Sequence, residues 1–330
     1  MSAADYLIRD DAIILPQSLS ASDPSTLFEL CDRIRKRTGD VILDASNFGF
    51  IDPLGLAALR STLDQLHDIE TLHVRFMDQG LINYLVRMDF FEGLEVEGID
   101  TQTMRNPKGE PENCVELIRI SDGKSEELAS RLVTAMTGCQ PGNEDAFDSN
   151  FEAIRHPIEY ALKELLENAL SHARRDGNIH ASAWVACQHF QNSNNVRLAI
   201  VDNGCGFLAT LRGHEFLANE TDLAAINAAL IERVSCNRGP HLAYETDSQN
   251  QGVGLTMTAK IANAANGHLV VASGNAWINT GCDLEKTLTD ASWKGVAIAF
   301  ACDRDKLPQI NIGALLPAVE NIVDDDINFD

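Results

Sequence analysis

The stretch 198-LAIVDNGCGF-207 is an apolar run that ends in an acid and then places two glycines at spacing two. Such a run predicts a buried strand over 195–202, paired with a second strand over 179–186 across the polar turn QNSNN. Asp202, at the strand's end, can accept a hydrogen bond from an exocyclic amine such as the N6 of adenine. Gly204 and Gly206 let the chain turn and let a flat ring approach the backbone. Upstream, 164-ELLENALSHA-173 lies in a helical pattern over 155–174, with apolar positions at Ile158, Ala161, Leu162, Leu165, Leu166, Ala169 and Leu170. Glu164 and Asn168 are four residues apart and share a face off that stripe. The carboxylate can take a proton from water, and the amide oxygen suits Mg²⁺, which prefers hard oxygen donors. Downstream, 250-NQGVGLTMTAKIANAANG-267 sets Gly252 and Gly254 ahead of a helix over 255–265. Free N–H groups and the dipole of such a helix start bind phosphates. Each piece alone has a plainer alternative: a solvated helix face, a D-N-G hairpin turn, a flexible hinge.

Together and in this order, the pieces resemble the GHKL superfamily, the ATP-binding domains of histidine kinases, gyrase, MutL, Hsp90 and the anti-sigma-factor serine kinases. The resemblance covers about residues 114–302. It implies a Bergerat-type pocket for ATP and Mg²⁺. Glu164 would polarise the attacking water or an acceptor hydroxyl. Asn168 would ligate Mg²⁺, and Asp202 would read the adenine amine. Gly204 and Gly206 would shape the adenine pocket. Gly252, Val253, Gly254 and Leu255 would line the phosphates. His172 could touch the nucleotide or simply pack at the surface. Residues 207–251 would be the lid, with a helix over 221–234 and with Arg212, Arg233, Arg238 and His241 as candidate phosphate contacts. The sequence departs from the family at Gly295-Val296, where a Gly-Thr pair is common, so the threonine's hydrogen bond is missing or replaced. No phosphoacceptor helix is apparent, which argues against histidine autokinase activity.

The first hundred residues alternate strand and helix. Strands are predicted over 11–15, 40–45 and 71–77. Helices are predicted over 23–37, 53–66 and 79–88, the first two opened by Asp-Pro. The stretch 41-VILDASNFGFIDPLGLAALRSTLDQL-66 is similar to the core of STAS domains, the fold of anti-sigma-factor antagonists, with Asp52, Gly55 and Leu56 on the family pattern. The serine that those antagonists phosphorylate corresponds to Leu54, which has no hydroxyl. The implied fold class is α/β (α+β): a STAS-like domain over 1–105, a linker over 106–113, a Bergerat-fold α/β sandwich over 114–310 and an acidic tail over 311–330.

Composition narrows the partners. The 330 residues carry a formal charge of −23 and are 45% hydrophobic. Such a surface repels a phosphate backbone, so nucleic acid and anionic membrane are poor partners. The eight cysteines form no CxxC pair, which fits free thiols in a reducing cytoplasm. No apolar run reaches membrane-spanning length, and the N-terminus is not a signal peptide. Three functions follow. The first is an Mg-ATP switch in which slow hydrolysis resets a lid. The second is a serine/threonine protein kinase acting on a partner protein. The third is a nucleotide-binding module without turnover. A STAS-like unit fused to a GHKL domain suggests an intramolecular contact, and a homodimer is an arrangement that the resemblance allows.

Overall fold

The computed structural model describes residues 11–66, 71–101, 111–140, 149–174, 181–231, 254–311 and 315, without the side chains of 149–153 and 172. The chain opens with β1 (Ile13–Ile14), β2 (Ser18–Leu19), α1 (Pro24–Arg35), β3 (Val41–Asp44), β4 (Phe50–Ile51), α2 (Pro53–Leu63), β5 (Leu72–Arg75), α3 (Gln79–Arg87) and β6 (Val96–Glu97). Both Asp-Pro starts cap their helices. Asp23 accepts from the Thr26 N–H, and Asp52 accepts from the Gly55 N–H at 3.1 Å. β1, β3, β5 and β6 form a parallel sheet in that order, and β2 pairs with β4.

All residues of α2 are buried. A helix that is buried all round needs a packing layer on every side. On one side lie α1 and the β2–β4 pair, in a core that also takes in Val41, Leu43, Leu72 and Val74 of the parallel sheet. The other side is supplied by the second half of the chain.

That half runs β7 (Cys114–Arg119), α4 (Ser125–Thr137), α5 (Ser149–Ala173), β8 (Ala183–Phe190), β9 (Asn195–Asp202), α6 (Gly206–Leu211), α7 (Asp222–Ala229), α8 (Gly254–Ala264), β10 (His268–Gly274), β11 (Ala276–Asn279), β12 (Leu284–Thr287) and β13 (Trp293–Asp303). The strands make one antiparallel sheet in the order β12-β11-β10-β13-β9-β8-β7. Successive residues of a strand face opposite sides. Val196, Leu198, Ile200, Ile298 and Phe300 face the core shared with α4, α5 and α8. Ala186, Ala199, Ala272, Ala297 and Ala299 face the other way, into the core shared with α2. The two faces differ in size: bulky side chains meet the three helices, and alanines let α2 lie close. The first hundred residues thus form the rear layer of the seven-stranded sheet.

Several elements differ from the sequence expectation. β8 runs to Phe190 because its ladder with β9 continues to the pair Phe190–Asn195, so the turn shrinks to 191–194. Residues 179–180 lie outside the described residues. α5 starts at Ser149 and runs through Pro157, although proline removes a backbone donor there. Buried Arg155 anchors this segment to α4 through the Ser130 carbonyl and hydroxyl, and it also donates to the Cys139 carbonyl. The span expected as a lid divides. Its first part, α6 and α7, packs Leu211, Ile226, Ala228 and Ala229 into the helical-face core, while residues 232–251 lie outside the described residues. The strands at 276–279 and 284–287 had no clear signal, since β12 is exposed at every position. Among the described residues no helix is long and apolar enough to cross a membrane. The described cysteines are all free.

Candidate functional site

Helix α5 is the spine of the site. At one end, a Cβ on Gly254 would stand 3.1 Å from the Cβ of Glu164, so the first residue of α8 lies directly on the Glu164 turn. At the other end, a Cβ on Gly204 would stand 2.3 Å from the Cα of Ala173. No side chain fits there, so glycine is required by close backbone approach. Glu164 and Ala173 are nine residues apart, roughly 14 Å along the axis. An extended nucleoside triphosphate can bridge that span. Half-buried Asn168 lies between the two ends. Two segments far apart in sequence, the turn after β9 and the start of α8, thus meet α5 at the two ends of that span.

Asp202 ends β9 on the helical side of the sheet and is 4% exposed. Burial pushes its carboxyl up to about 7, against the pull of the Gly204 and Val296 N–H groups. The Gly204 N–H donates to Oδ1 at 2.8 Å and fixes the direction of the carboxylate. An acid in this state is poised between donor and acceptor near neutral pH, and a ligand amine would select the ionised form.

Sequence reasoning missed Ser273. It lies on β10 opposite Val296. Its hydroxyl accepts from the Phe207 N–H and donates to the Gly295 carbonyl, each at 3.0 Å. From the strand beside Val296 this hydroxyl braces the turn after Gly206. Its signal was a lone serine in the apolar run HLVVASG. Asn203 is the second omission. It is buried beside Asp202, and its amide oxygen accepts from the Ser182 N–H at 2.8 Å.

Residues 154–290 match the family model described as histidine kinase-, DNA gyrase B-, and HSP90-like ATPase. The chain carries a GHKL-type ATPase domain. The match takes in Glu164, Asn168, Asp202 and both glycine pairs, and the mixed α/β architecture agrees with it. No curated protein and no solved structure matches the chain significantly.

The remaining candidates of the GHKL site are placed as follows. Gly252, Val253, Arg233, Arg238 and His241 lie outside the described residues, as does the side chain of His172. The Leu255 side chain is buried in the helical-face core, so only its backbone can face a ligand. Arg212 is exposed and stands 3.8 Å from Glu220. Among the described residues no group of three or more His, Cys, Asp or Glu could hold a metal. A nucleotide-borne Mg²⁺ needs no such cage, because it keeps several waters and takes few protein oxygens besides phosphates. The amide oxygen of Asn168 is a donor of the right hardness.

Proposed function

We propose that the chain binds Mg-ATP along α5 and hydrolyses it slowly, using the cycle as a regulatory switch. The supporting observation is the convergence on α5 of Gly254 beside Glu164 and Gly204 beside Ala173. In this reading Asp202 accepts from the adenine amine, and the N-terminal backbone of α8 holds phosphate oxygens. Asn168 contributes an oxygen to Mg²⁺, which would neutralise phosphate charge. Glu164 orients and deprotonates the attacking water.

Transfer to a protein serine is the second reading. It is favoured by Leu54, which stands at the phosphoacceptor position of the STAS-like pattern and is 1% exposed. An acceptor hydroxyl would then come from another protein, a free STAS-type partner being the natural class. A homodimer would serve either reading.

Labelled ATP incubated with the full chain, with and without candidate partners, separates the readings. Free phosphate alone supports the switch, and label on a partner serine supports the kinase. Glu164→Gln should lower either turnover by about a hundredfold, the usual scale of a lost general base, while sparing nucleotide binding. Normal turnover by that variant would remove Glu164 from the chemistry.

A further inference from the structure

We propose that Asp64, the residue ending α2 in the rear layer, is a positioning residue for the adenine-reading turn. The inference rests on the reading that Asp202 accepts from the adenine amine.

The turn carries Asp202, Asn203 and Gly204. Both ends of the Asn203 amide are engaged by one residue. Its oxygen accepts from the Ser182 N–H at 2.8 Å, and its nitrogen donates to the Ser182 hydroxyl at 3.0 Å. The backbone adds a third link, from the Asn203 N–H to the Ser182 carbonyl at 3.1 Å. Because the Ser182 N–H can only donate, the orientation of the amide is settled. The Ser182 hydroxyl, already an acceptor, gives its single proton to Asp64 Oδ2 at 3.2 Å. The chain of donors therefore runs one way, from Asn203 through Ser182 to the Asp64 carboxylate.

Asp64 is itself fixed. The Trp184 indole N–H donates to the same Oδ2 at 2.9 Å, and Arg60 stands 3.4 Å from Oδ1. Arg60 lies over the Trp184 ring and donates to the Phe90 and Glu92 carbonyls. Ser182, Asn203 and Arg60 are all buried. A one-way chain of this kind, buried at Asn203 and Ser182, favours one arrangement, and losing its acceptor frees its members. The arrangement that it defines includes the Gly204 N–H, which aims the Asp202 carboxylate. The rear layer thereby reaches the adenine pocket through three side chains. A displacement of α2, such as a partner docking on the rear layer would cause, should change nucleotide preference.

The test compares ATP with inosine triphosphate, whose purine carries a carbonyl in place of the 6-amine. Binding of each is measured by calorimetry on the full chain at pH 8. The wild type should prefer ATP. Asp64→Leu and Ser182→Ala should each weaken ATP binding by about tenfold, the scale of one charge-assisted hydrogen bond, and leave the inosine nucleotide unchanged. Asp64→Asn should keep most of the preference, because its amide oxygen can accept from Ser182 and Trp184 alike. Trp184→Phe should lower the melting temperature and keep the preference, since it breaks the clamp and not the relay. If Asp64→Leu fails to fold, Ser182→Ala decides alone, because it leaves Arg60 and Trp184 in place. Wild-type preference in Ser182→Ala overturns the proposal while the adenine reading stands. A wild type that binds both nucleotides equally overturns the adenine reading itself.

Discussion

Asp202 is where stability and binding pull apart. An ordinary aspartate titrates near 3.8, and burial pushes this one up to about 7. Between those values the folded chain holds a proton that the unfolded chain has lost. Linkage then makes this group's contribution to stability fall as pH rises from about 4 to about 7. Replacing it with Asn removes the buried charge. The melting temperature of Asp202→Asn relative to the wild type should therefore rise between pH 5 and pH 8, and a constant difference would contradict the burial argument. Binding runs with the opposite sign, because only the carboxylate accepts from an amine. ATP affinity should improve by about tenfold from pH 6 to pH 8, the factor expected for a titration centred near 7. Inosine triphosphate, which shares the titrating phosphates, serves as the control. The acid and its glycines were legible in the sequence because they are contiguous. The hydroxyl of Ser273 was not, because only strand pairing sets it beside the turn.

Among the elements, α2 shows most plainly what sequence can and cannot reveal. Its Asp-Pro start was readable, and the cap is made as the residue types require. Its burial on all sides was not, because the alanines that receive it are spread from Ala186 to Ala299 and share a face only once four strands are paired. Likewise Asp64 and Ser182 are 118 residues apart in the chain. The cap makes a specific prediction. Asp52 accepts from the Ala21 and Gly55 N–H groups and pairs with Arg197 of β9 at 3.2 Å. Burial nevertheless holds its carboxyl above the ordinary range. The charge is thus a cost and the oxygens are the gain. Asp52→Ala should lose about 3 kcal/mol, from an uncapped helix and an abandoned guanidinium that is itself partly solvated. Asp52→Asn, which keeps an oxygen for the Gly55 N–H, should lose about 1 kcal/mol. Urea unfolding of the two variants checks the order, and equal losses would show that the charge dominates.

For the whole molecule the question is whether the rear layer and the ATPase sheet unfold as one body. The chain's three tryptophans report on that boundary. Trp184 donates to Asp64, Trp277 donates to the Ser25 hydroxyl, and Trp293 packs on Phe28 with ring centroids 5.4 Å apart. Each is rooted in the seven-stranded sheet and touches the first hundred residues. Tryptophan emission therefore follows the seam, while far-ultraviolet circular dichroism follows helices and strands on both sides of it. The seam is an apolar core joined by buried polar contacts, and α2 has no solvated face to fall back on. Separation would expose that helix and the alanine face of the sheet together, so a separated intermediate would be costly. The two signals should trace one urea transition with a common midpoint, as cooperative unfolding demands. A tryptophan transition at lower urea than the dichroism would mean that the layers part first. The relay from Asp64 to Asn203 would then join two bodies that can come apart, rather than cross the interior of one.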